Sequence, residues 1–352
     1  MDVKKIAVIR FSAMGDVMLL VPVLRSLTAA YPDLEVTLVT RPRFASFFRN
    51  IHGVKVFEAD VDFRYNGVLG MRDLFRDLMR RRNFDMVFDL HDHIRTMILR
   101  TFFKLLGIKV LVFEKGRKEK KALTKKENKE TGALPHTVDR YYAVFEKAGF
   151  AFPRLSKPHL TPDDAAKQTV SKWLADQQIT KNEKWIGVAP FAMHLSKIWP
   201  SENYAPLLRT LLQKIPARFF FFGGGEKEIR FFEELKEQFP DHCTLVAGQL
   251  KIRHEIALLP SIDLMLCVDS SNMHLAALTG TPLLAIWGGT HPDAGFGPYQ
   301  YDQASILQID REQLPCRPYS VYGKATCYRG DFACMHEITV DRVADEIVRR
   351  LA

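Results

Sequence analysis

Ten short apolar runs set the rhythm of this chain. In the first half they are KKIAVIRF (4–11), EVTLVT (35–40), VKVFEA (54–59), DMVFDL (85–90) and IKVLVF (108–113). In the second half they are WIGVAP (185–190), ARFFFFG (217–223), CTLVAG (243–248), DLMLCVD (263–269) and PLLAIWG (282–288). Each is nearly continuous in apolar residues rather than alternating, the pattern of parallel strands covered on both faces. Stretches with helical spacing lie between them. The first half predicts helices over Gly15–Tyr31, Met71–Arg82 and 137–149. The second predicts them over 201–214, 227–239, 253–259 and 272–279, with Pro200-Ser201-Glu202 as a start signal. Apolar positions 340, 343, 347, 348 and 351 share one face of a last helix. Strand–helix–strand order in both halves predicts an α/β fold of two doubly wound, Rossmann-like domains.

A Pro-dotted stretch, 152–162, reads as the linker and gives domains 1–160 and 161–352, with the C-terminal helix free to pack back on the first. Ligands of open α/β sheets bind beyond the strand C-termini. Two such domains in series therefore predict a facing cleft lined by residues that follow strands. One segment interrupts the alternation: residues 115–132 are polar, lack apolar periodicity and end in Gly132, as in an exposed loop.

The 352 residues are 47% hydrophobic, enough for two cores. The formal charge is +9, and residues 115–129 hold eight Lys/Arg against two Glu, a surplus of six. A nucleic-acid binder spreads its charge over a groove-sized face, so nucleic acid is not the expected partner. The run reads either as a solvated loop or as a docking site for anionic lipid or acidic acceptor groups. Five cysteines, none before Cys243, do not make a secreted disulfide framework. Cys316, Cys327 and Cys334 lack any CxxC pair and read as packed or free thiols. Arg10 and Asp16 interrupt the leader-like start, and no apolar run reaches the ~18 residues of a membrane span. The chain is expected to be soluble and in a reducing compartment.

Candidate chemistry follows the strands. Ser12-Ala13-Met14-Gly15-Asp16 joins a strand to a helix. Gly15 suits a tight turn, and Asp16 is either a helix-dipole partner or a general base. GxGxxG is absent. Lys197, in Ser196-Lys197-Ile198-Trp199-Pro200, is either a surface lysine or a clamp for a departing diphosphate. Gly223-Gly224-Gly225-Glu226 is not a P-loop, but Glu226 suits ribose hydroxyls. In Asp269-Ser270-Ser271-Asn272-Met273-His274, the amides of 270–273 suit phosphate, Asp269 suits sugar hydroxyls, and His274 reads as structural. Gly289 and Thr290 belong to the next loop, which could cover the base or the phosphates. Asp89-Leu90-His91-Asp92-His93 resembles metal-ligand material but lacks a second ligand pair, so His91 and Arg95 read as acceptor contacts and no metal is expected.

Taken in this order, IRFSAMGDV, SKIWP, GGGE and DSSNMHLAALTGTPLLAIWGGT resemble glycosyltransferase family nine, the ADP-heptose:lipopolysaccharide heptosyltransferases, over about residues 3–351. The resemblance implies a GT-B fold, inversion at the anomeric carbon and no required cofactor, with Mg2+ at most a stimulant. It implies ADP-heptose or another nucleotide sugar as donor, and a lipopolysaccharide inner-core acceptor. It implies a cytoplasmic enzyme peripheral to the inner face of the membrane. Asp16 matches the family's catalytic base, Lys197 the lysine near the donor, and Glu226 the ribose-binding acid. Asp269 matches the acid on the transferred sugar; Ser270, Ser271 and Asn272 match the phosphate turn, and His274 the motif's histidine. Ser12, Met14, Gly15, His91 and Arg95 are assigned to the acceptor side. The alternatives are a related transferase or epimerase with another donor, and a non-catalytic sugar-nucleotide-binding protein.

Overall fold

A computed structural model describes residues 3–81, 83–127, 129–130 and 132–352. Arg82, where the sequence ends its second helix, and Asn128 and Thr131 of the basic segment lie outside them. The chain divides into two compact units, Met1–Gly116 with Thr137–His159, and Arg117–His136 with Leu160–Ala352.

The first unit contains β1 (Lys5–Ile9), α1 (Met14–Met18), α2 (Val21–Ala30), β2 (Glu35–Thr40), β3 (Val54–Glu58), α3 (Gly67–Arg81), β4 (Met86–Asp89), α4 (Ile94–Leu105) and β5 (Lys109–Val112). After α5 (Arg117–Leu123), which belongs to the second unit, the chain returns to it as α6 (Thr137–Lys147). The sheet order is β3-β2-β1-β4-β5, all parallel. Ile9 pairs with Val39 on one side and Asp89 on the other, so the switch point lies between β1 and β4. Ile6, Ala7, Val8 and Ile9 are fully buried. Burial contributes about 1.5–3 kcal/mol for each large aliphatic side chain. The helix predicted over 15–31 is two, because Pro22, which has no amide, sits in the first turn of α2, where none is needed.

The second unit adds α7 (Asp164–Asp176), β6 (Lys184–Ala189), α8 (Tyr204–Lys214), β7 (Ala217–Phe221), α9 (Glu226–Gln238), β8 (Cys243–Leu245), α10 (Ile252–Leu258), β9 (Leu264–Val268), α11 (Ser271–Thr279), β10 (Leu283–Trp287), β11 (Ile306–Gln308), α12 (Ala333–His336) and α13 (Val340–Leu351). Its parallel sheet runs β11-β10-β9-β6-β7-β8, with the switch point between β6 and β9. The three-residue β11 is too short to show in the apolar pattern.

One expectation is corrected. Of residues 115–132, which the sequence reads as an exposed loop, Arg117–Leu123 form α5, and residues 117–136 group with the second unit. Ala122 and Leu123 are buried, and Lys120 is buried with its ammonium 4.2 Å from the Phe296 ring centroid. An alkyl stem and a cation–π contact hold a residue that looks solvated in the sequence. The C-terminal α13 belongs to the second unit. Its Val343, Ala344, Ile347 and Leu351 join the core that holds Leu207, Leu208 and Leu211 of α8, and Lys214 pairs with Asp345 at 2.6 Å. Among the described residues, no helix is long and apolar enough to cross a membrane.

Candidate active site

In the first unit, the turn after β1 puts Asp16 in the first turn of α1, half-buried. Its Oδ2 lies 2.8 Å from the Arg10 guanidinium and accepts from the Ala13 amide at 3.4 Å. Arg10 directly follows β1, donates Nε–H to the Ser12 carbonyl at 2.9 Å and Nη1–H to the Leu90 carbonyl, and lies 5.9 and 5.6 Å from the Phe113 and Tyr141 ring centroids. Tyr141 donates its hydroxyl to the Asp16 carbonyl at 3.2 Å. Asp16 therefore caps its helix while its carboxylate orientation is set by a buried cation. Gly15 is not in a left-handed conformation; it lies within α1, so the predicted tight turn is made by the helix start instead. Met14 opens α1, half-buried.

The neighbouring turn after β4 brings His91 to Ser12, Nε2 to Oγ at 3.2 Å. Burial first, then Arg10, His93, Lys115 and Arg41, push the His91 imidazole down to about 2, so it is neutral. Its Nδ1 is buried without a hydrogen bond among the described residues. Asp89, fully buried, accepts from the amides of His91 (3.1 Å) and Asp92 (2.9 Å) and pairs with Arg100 at 2.9 Å. That carboxylate shapes the turn. Arg95 stands apart from Asp16's cluster, pairing with Asp62 at 3.2 Å, which Arg41 also holds at 3.0 Å. Among the described residues, no group of three His, Cys, Asp or Glu could hold a metal ion.

In the second unit the switch point gathers three predicted residues. Lys197, after β6, pairs with Asp269, after β9, at 2.8 Å, and Thr290, after β10, donates to the same Oδ2 at 2.7 Å. Asp269 is thus an internal hub. Ser270 is the N-cap of α11 and its Oγ is buried without a partner among the described residues. Ser271 takes the first helical position without a left-handed φ, followed by half-buried Asn272 and buried His274. Gly289 donates its amide to the Ser196 carbonyl at 2.8 Å, and a Cβ on it would sit 2.4 Å from the Tyr319 ring. Gly323, at φ +85°, leaves room for Lys197, whose Cε would be 2.8 Å from an added Cβ.

Glu226 is not gathered with these residues; it is exposed at the start of α9. Glu228 folds back instead, accepting from the Gly224 amide at 2.8 Å, and burial raises its carboxyl. Sequence reasoning missed Glu228 and two arginines. Arg10 carried a signal, a charge inside the apolar run 4–11. Arg317 carried none. It is 1% exposed and donates to the carbonyls of Gly288, Ile309, Trp287 and Thr290 and to Gln308 Oε1. Burial pushes its guanidinium down to about 10, still charged at neutral pH. It anchors the 288–290 loop.

The family model of glycosyltransferase family 9 (heptosyltransferase) matches residues 71–324. The chain belongs to glycosyltransferase family 9. The match covers the second-unit cluster, and a longer relative extends it through Asp16. Lipopolysaccharide core heptosyltransferase OpsX of Haemophilus influenzae is 25% identical over 346 residues, 98% of this chain and 96% of that one. Lipopolysaccharide heptosyltransferase 2 of Salmonella typhimurium is 24% identical, covering 97% of each. Among solved structures, a family 9 glycosyltransferase from Veillonella parvula aligns with a TM-score of 0.76 at 18% identity, covering 100% of this chain and 98% of that one. ADP-heptose lps heptosyltransferase II of E. coli aligns at 0.70 and 19%, covering 99% and 98%. These likenesses carry the fold: an α/β chain of GT-B type, as in the other family 9 enzymes.

Proposed function

We propose that this family 9 enzyme transfers a heptose from ADP-heptose to a lipopolysaccharide inner-core precursor, with inversion at the anomeric carbon. The observation that carries the reading is the Lys197–Asp269–Thr290 cluster beside the Ser270 cap of α11. A fixed ammonium next to a helix N-terminus suits a diphosphate that gains charge as it leaves. The names of the full-length relatives, core and heptosyltransferase 2 enzymes, support the donor and acceptor classes.

In the proposed reaction an acceptor hydroxyl attacks the anomeric carbon. Its proton passes to the Asp16 carboxylate, the new C–O bond forms, and the bond to the β-phosphate oxygen breaks with its electrons on ADP. Lys197 and the amides of 270–273 stabilise that charge, Glu226 takes the ribose hydroxyls, and Gly289 and Thr290 close over the donor. Ser12, Met14, Gly15 and His91 border the acceptor hydroxyl, with neutral His91 as a hydrogen-bonding partner and not a proton source at neutral pH. Arg95 takes an anionic group of the acceptor. The enzyme works in the cytoplasm, peripheral to the inner face of the membrane.

A donor panel tests this. ADP-heptose is expected to be consumed only when acceptor is present. Consumption or isomerisation without acceptor would mark an epimerase, and preference for another nucleotide sugar would overturn the donor assignment.

A further inference from the structure

Helix α4, IRTMILRTFFKL, is apolar on two faces. Thr96, Leu99 and Phe103 are buried, and Phe102 stacks on Phe75 of α3 with centroids 5.4 Å apart. The opposite face is uncovered: Ile94 is 65% exposed, Met97 48% and Leu105 77%. With exposed Thr101, these positions are spaced three, four and four residues apart and form one stripe along the helix. Phe63, Val68 and Leu69 are exposed as well. The Arg95–Asp62 pair ties the 62–63 loop to the first turn of α4. The outward side of a surface helix is ordinarily polar, so this outward apolar stripe calls for a partner.

The charges select which one. The sequences of α3 and α4 contain seven Lys/Arg and two Asp, with no acid in α4; Asp62 pairs with Arg95, and Asp89 and Asp92 pair with Arg100. The two aspartates of α3 pair with exposed Arg64, Arg72, Arg76 and Arg80, ion pairs weak enough for the arginines to exchange partners. A second copy of the chain would set like charge against like charge. An anionic bilayer offers phosphates to the cations and acyl chains to the stripe. We propose that α4's outward face, with the start of α3, docks the first unit onto anionic lipid. This deepens the membrane-peripheral reading above and rests on it. The competing surface is α5 and its neighbours, where Lys118, Lys121, Lys125 and Lys126 are exposed but Lys120 is buried and Lys129 donates to the Pro315 carbonyl at 2.8 Å.

The test is co-sedimentation with vesicles of phosphatidylethanolamine and phosphatidylglycerol, with phosphatidylcholine vesicles as control. The triple variant Leu69→Gln/Met97→Gln/Leu105→Gln is expected to lose at least about tenfold in partitioning at low and high salt. Lys118→Gln/Lys121→Gln/Lys125→Gln/Lys126→Gln is expected to lose only a few-fold, and only at low salt. As a readout independent of the triple variant's folding, an environment-sensitive dye on Leu105→Cys should shift to shorter wavelength on the anionic vesicles. Unchanged partitioning of the triple variant, no dye shift, or a wild-type dimer that the triple substitution converts to monomer would each overturn the docking face. Transfer to a short-chain, water-soluble acceptor should survive the triple substitution. If the wild type binds these vesicles through this face yet transfers to no core acceptor, the docking stands and the acceptor reading falls.

Discussion

The two switch points are built differently. In the second unit, residues flagged by separate motifs meet directly: Lys197, Asp269 and Thr290 converge on one carboxylate oxygen, over a loop held by Arg317. In the first unit, the flagged acid meets an unflagged cation. Asp16 is oriented by Arg10, which two carbonyls and two aromatic rings hold in place. The lesson is that the second unit's switch point is wired among its own motif residues, whereas the first unit's depends on a buried charge at a strand end. In the proposed roles, a general base needs correct geometry at one oxygen, and a diphosphate clamp needs preorganised charge.

The comparison breaks most readily at Asp16. Asp16→Asn should lower turnover about 10²–10⁴-fold while ADP affinity, read by titration calorimetry, stays at wild type. Lys197→Met should cost about 10²–10³-fold in kcat. Because Lys197 and Asp269 share an ion pair, adding Asp269→Asn should cost less than the sum of the single substitutions. Arg317→Met leaves buried carbonyls without a donor and should lower the unfolding free energy by about 2–4 kcal/mol in urea melts, whereas the exposed Glu226→Ala should not change stability. Arg10→Lys retains the charge but not the fork, so kcat should fall about tenfold through misplacement of Asp16 with donor KM unchanged.

The remaining effects are in pH, and they have opposite signs in the two units. His91 is held at about 2 against 6.5, so its stability contribution is present above pH 6.5 and is lost as pH falls toward 2. Buried Glu255, in α10, is raised from 4.5 to about 7 by burial, so its contribution is present below pH 4.5 and is lost as pH rises through 7. Each slope is at most about 1.4 kcal/mol per pH unit. His91→Gln should flatten the acid limb of a stability–pH curve, and Glu255→Gln the alkaline limb.

All ten apolar runs contain strands, and the inner ones, such as β1, β9 and β10, are legible because a doubly covered parallel strand leaves an unbroken hydrophobic signature. What the sequence hid was local or long-range. α4 was hidden because apolar residues on both faces blur a helical period, and β11 because three residues have none. α5 was hidden because Lys120 looks solvated until Phe296 is brought beside it from far along the chain. In the second unit the motif acids and Lys197 were legible because each follows a strand. Their mutual pairing was not, because Lys197, Asp269 and Thr290 lie in separate stretches that only folding brings together. Arg317 was invisible for the same reason: its acceptors are backbone carbonyls brought together only by folding.

The most direct measurement is mass spectrometry of a truncated core lipid after incubation with ADP-heptose and the wild-type chain, with NMR of the new linkage. A single added heptose, inverted at its anomeric carbon and missing when Asp16→Asn is used, is the predicted result. An unchanged lipid mass, a retained configuration, or equal product from Asp16→Asn would contradict it.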